Sequence, residues 1–60
     1  MKKGDKIKVT NNSIFKIMGY TEVTGTIFLV YPGQTCLAIK CDQTKCIETC
    51  EIGDGAIELI

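Results

Sequence analysis

Residues 36–50 read CLAIKCDQTKCIETC and decide how the chain folds. Two apolar, β-branched runs, Thr35 to Asp42 and Cys46 to Ile52, flank the short polar loop Asp42-Gln43-Thr44-Lys45, the pattern of a β-hairpin. All four cysteines of the chain lie in it. The first question is therefore whether they bind metal, form bridges, act in redox chemistry or fill the inside of paired strands.

Outward from the hairpin, Gly53-Asp54-Gly55 is a strong turn and Ala56 to Ile60 a short closing strand. Toward the N-terminus, Pro32-Gly33 ends a strand running from Val23 to Tyr31, because proline fixes φ and glycine accepts positive φ at the next turn position. Gly25 inside that strand predicts a bulge or sharp bend. Lys6 to Thr10 alternates polar and apolar residues, with Ile7 and Val9 facing inward. Five strands and no helix are expected, in one all-β domain spanning residues 1–60: a small five-stranded, mostly antiparallel barrel.

Sixty residues bury a small core, so disulfides, a metal or a partner subunit are the usual supports, and a homo-oligomer is one such option. The start MKKGDKIKVT carries positive charge but no apolar run after it, and no stretch is long enough to span a bilayer. The expected compartment is the reducing cytoplasm, where structural disulfides are rare. Seven lysines balance seven acids, and arginine, histidine and tryptophan are absent. Without histidine or arginine, a hydrolase triad, a His-containing zinc site and arginine readout of nucleic acid lose support. No cofactor and no enzymatic activity are expected. Glu48 and Glu51, three apart on a strand, face opposite sides and cannot act as an acid/base pair.

The charges are segregated. Residues 1–20 hold five lysines and one acid, and residues 21–60 hold two lysines and six acids. In a closed meander the last strand lies beside the first, which places Glu58 within reach of Lys6 or Lys8.

Asn11 to Glu22 (NNSIFKIMGYTE) is long for a hairpin connection and dense in large apolar groups. Two readings stand. The segment plugs one mouth of the core, or it leaves a docking patch with Ile14, Phe15, Met18 and Tyr20 as anchors and Lys16 and Glu22 at the rim.

The cysteine spacing is C-x4-C-x4-C-x3-C, with none of the C-x2-C knuckles of structural zinc sites. Cys36 and Cys41 also fall on opposite faces of a regular strand. One ion held by Cys36, Cys41, Cys46 and Cys50 is retained as an alternative that requires a bulge. Cys41 and Cys46 flank the loop and should sit opposite each other, with Cα atoms about 4.5–5.5 Å apart, which makes them the disulfide candidate. The preferred reading is of reduced thiols used as small apolar residues.

Gly4-Asp5-Lys6-Ile7-Lys8-Val9, the long first connection, Gly25-Thr26-Ile27 opening a second strand, and the hairpin before a short closing strand together resemble SH3-like barrels, and within them the KOW-type small bacterial and phage domains. In such domains the connection after the first strand helps form the partner groove, so the resemblance points to residues 14–20. KOW-type domains that bind RNA usually carry more basic residues, often arginine, and this chain departs from them. The function expected first is a protein-binding inhibitor or adaptor of the phage or mobile-element type. The alternative is a nucleic-acid- or ribosome-associated domain using Lys2, Lys3, Lys6, Lys8 and Lys16, and a second alternative is a metal-stabilised structural domain.

Overall fold

In the computed structural model, which describes residues 1–60, the alternation of Lys6–Thr10 becomes strand β1, with Ile7 and Val9 buried. Glu22–Val30 forms β2, Cys36–Cys41 β3, Ile47–Glu51 β4 and Ala56–Leu59 β5. Every pairing is antiparallel, in the order β4-β3-β2-β1-β5. The all-β, five-stranded expectation holds, with strand ends within a residue or two of those read from the sequence. The arrangement is compatible with an SH3-like barrel, but β4 and β5 do not pair and the sheet stays open between them.

The turn chemistry sets this topology. Between β2 and β3, Gln34 N–H donates to the Tyr31 carbonyl at 2.9 Å, with Pro32 and Gly33 (φ 81°) between them, a type II turn. The β3–β4 hairpin closes with Cys41 N–H donating to Cys46 O at 2.9 Å, while Lys45 N–H donates to Cys41 O at 3.0 Å. Lys45 and Cys46 thus both oppose Cys41, and the extra residue, Lys45, takes φ 64°. The loop then folds back onto β2. Asp42 accepts from Lys6 Nζ at 3.0 Å and from Thr24 Oγ1 at 2.8 Å, and Gln43 Oε1 accepts from Thr24 N–H at 2.8 Å.

The bulge expected at Gly25 lies instead three residues on. Phe28 and Leu29 together oppose Ala38, and the register shifts there. Gly25 answers a different need, because a Cβ at that position would stand 2.6 Å from the Lys40 carbonyl oxygen. The strands approach too closely there for a side chain.

Ile7, Val9, Val23, Ile27, Leu37, Ile39, Cys41 and Cys50 from the strands form one core with Phe15 from the first connection. Tyr20, Val30, Ile52 and Ile57 pack at its margin. Lys8 lies directly opposite Glu58 in the β1–β5 register, while the ion pair that forms between the basic and acidic parts of the chain is Lys6–Asp42.

Candidate functional site

The long first connection is built around one buried amide. Asn11 turns the chain with φ 57°, and Asn12 then enters the interior at 1% exposure. Its Oδ1 accepts from the amides of Ile14 (3.0 Å) and Phe15 (3.2 Å), and its Nδ2 donates to the Asp54 carbonyl at 3.2 Å. A buried asparagine with these bonds satisfied caps a helix, and Ser13–Ile17 forms a single helical turn, α1. Gly19, at φ 97°, stops it.

This turn corrects the expectation of a chain without helices. The segment is too short to show a helical period by count, but Asn12-Ser13 ahead of an apolar run was a legible capping signal.

Asp54, in the turn between β4 and β5, holds the other side. Its carboxylate accepts from the Ser13 amide at 3.1 Å and from the Ser13 hydroxyl. Those bonds, with a weaker pull from Lys16, hold its carboxyl below the usual carboxylate range. Asp42 is lowered in the same way, first by the Lys6 ammonium and then by Thr24.

The two readings of this segment divide between its residues. Phe15 is 2% exposed and fills the core, so it is corrected from a docking anchor to a core residue, because the cap turns its side chain inward. Tyr20 packs half-buried against the same core, and its N–H donates to Phe15 O at 2.8 Å. Ile14 and Met18 are 54% and 42% exposed, and Lys16 on α1 and Glu22 at the start of β2 are exposed as well. Ile17, which the sequence reading did not single out, is 83% exposed. Its signal was the spacing: Ile14, Ile17 and Met18 stand at i, i+3 and i+4, one face of a helical turn.

The other candidate residues are scattered. Lys6 is bound to Asp42, Lys3 lies over the Phe28 ring at 5.7 Å, Lys8 faces Glu58 and Lys16 sits on α1. Lys2 donates its backbone N–H to Asp5 at 3.0 Å. All four cysteines are free thiols: Cys41 and Cys50 are buried, Cys36 is half-buried and Cys46 is exposed. No three cysteine or acidic side chains converge closely enough to hold a metal ion. Burial, followed by the neighbouring charges of Cys36 and Asp54, pushes the Cys50 thiol up to about 11.

What the site presents is an aliphatic face on a one-turn helix whose backbone is pinned from below and from the side. The chain matches no protein-family model, no curated protein and no solved structure.

Proposed function

We propose that the chain is a non-enzymatic, SH3-like binding module of KOW type whose partner is another protein, acting by occlusion or bridging as small phage and mobile-element inhibitors and adaptors do. The observation that carries this reading is the face formed by Ile14, Ile17 and Met18, exposed on a turn whose conformation is fixed by Asn12 and Asp54. Fixing an apolar patch before binding lowers the ordering cost of association, and burying three aliphatic side chains supplies a favourable centre. Lys16 and Glu22, both exposed, serve in this reading as its charged rim.

The test is capture from a host lysate by the intact chain and by Ile17→Asp and Met18→Asp variants, with thermal melts in parallel. The variants should melt as the parent does and lose the partner. Undiminished capture by folded variants would move the function elsewhere. Binding to RNA or DNA that weakens steeply with salt would transfer it to Lys2, Lys3, Lys6, Lys8 and Lys16.

A further inference from the structure

The alternation of hydrogen bonds identifies which backbone groups of the outer strands have no partner in the sheet. Ile60 N–H donates to Lys6 O at 3.0 Å, and the same register places Glu58 opposite Lys8 and Ala56 opposite Thr10. Residues 56, 58 and 60 therefore turn their N–H and C=O groups toward β1, and those of Ile57 and Leu59 point to the open edge. The side chains of these two residues lie on the core face, opposite Val9 and Ile7. Ile57 is half-buried there and Leu59 is 61% exposed.

The two edges of the sheet differ. β4 starts behind the Lys45–Cys46 bulge and turns Glu48 toward the core face, opposite Ile39. A bulge and an inward-pointing charge are both devices that discourage strand addition. β5 has no proline, lysine or bulge.

We infer that the free edge of β5 is a docking site for an extended segment of a protein partner, which adds as a sixth strand in the pattern apolar–basic–apolar. The partner's apolar residues exchange backbone bonds with Ile57 and Leu59 and cover them on the core face. Its basic residue falls opposite Glu58, in the closer-spaced pair where side chains approach most nearly. β1 already meets β5 in this pattern on its other side, with Ile7, Lys8 and Val9 against Leu59, Glu58 and Ile57. Lys8 sits two strands from the incoming residue, about 10 Å and near the Debye length, so Glu58 dominates the field there. A second copy of the chain fits poorly, because pairing Ile57 with the copy's Leu59 sets Glu58 against itself. The inference rests on the protein-binding reading and adds a second surface to it.

Amide hydrogen exchange on the intact chain tests it, with a synthetic peptide of about eight alternating lysine and valine residues, long enough to span the edge. The expected result is slowed exchange at Ile57 and Leu59 and no change at Ile47, Thr49 or Glu51. A glutamate–valine peptide should bind about tenfold more weakly, and Glu58→Gln should close that difference. Equal binding of both peptides, protection along β4, or protection that grows with protein concentration alone would each overturn the proposal, the last by assigning the edge to a second copy. Ile17→Asp and Met18→Asp separate the two surfaces. They should abolish partner capture and leave the lysine peptide bound; edge protection that vanishes with them would overturn the separate site.

Discussion

Ser13 and Asp54, 41 residues apart, are joined twice: both the amide and the hydroxyl of Ser13 donate to the Asp54 carboxylate. This contact makes the β4–β5 turn a bracket for α1. Because those bonds favour the ionised form, Asp54 holds its proton less tightly in the folded chain than in the unfolded one. Stability from this group is therefore present above the ordinary carboxylate value of 3.8 and is lost as pH falls through the lower folded value. Asp42 adds to the effect with the same sign. Urea midpoints measured from about pH 5 to pH 2 should fall as pH drops below about 4. Asp54→Asn should start lower and show a shallower fall.

Phe15 and Ile17 are two residues apart in sequence and opposite in role. Phe15→Ala removes the largest fully buried side chain and should cost about 3–5 kcal/mol, a large part of what so small a domain possesses. Ile17→Ala should stay within about 0.5 kcal/mol of the parent, since its side chain is 83% exposed. Chemical denaturation of the two variants decides this directly. Equal losses would mean that α1 packs differently from the arrangement described.

The pattern of these roles was partly legible in the sequence. Period-two alternation in Lys6–Thr10 and the Pro32-Gly33 turn determine strands and register locally, so the sheet could be read there. The Lys8–Glu58 juxtaposition followed from laying the last strand beside the first. What could not be read was decided by tertiary contacts. Asn12 becomes a buried cap only because Asp54 supplies a carbonyl from 42 residues away. The cap in turn sets which of the large apolar residues between Ile14 and Tyr20 face inward. The close approach at Gly25 is hidden from the sequence for the same reason, since it involves Lys40 on β3.

Glycine positions provide a second check on the packing. A Cβ on Gly55 would run into the Thr10 carbonyl oxygen and stand 2.8 Å from the Asn12 nitrogen, at a backbone φ of 84°. Gly33 has a similar φ of 81° but open space around it. Gly33→Ala should therefore cost only the left-handed conformation, about 1–2 kcal/mol, and Gly55→Ala considerably more. Gly25→Ala should resemble Gly55→Ala, because the obstacle is again backbone. Thermal melts of the three variants should rank Gly33→Ala highest.

The four cysteines differ in exposure, and Cys50 also in proton affinity, so they should separate in reactivity and in alkaline stability. Thiol modification requires an accessible thiolate, so Cys46 should react first with an aromatic disulfide reagent and Cys36 more slowly. Cys41 and Cys50 should react only as the chain opens, because both are buried at 1% exposure. Cys50 adds a pH dependence. Its folded value, about 11, lies above its ordinary value of 9.0, so the unfolded chain loses this proton first as pH rises. Stability is thus intact below pH 9.0 and declines as pH climbs toward about 11. A Cys50→Ala variant should begin less stable, through the lost packing, but decline less over that interval. Mass spectrometry after timed labelling, with unfolding midpoints at pH 8 and 10, tests both claims. Early labelling of Cys50, or a variant with the parent's alkaline slope, would remove Cys50 from the core position assigned to it.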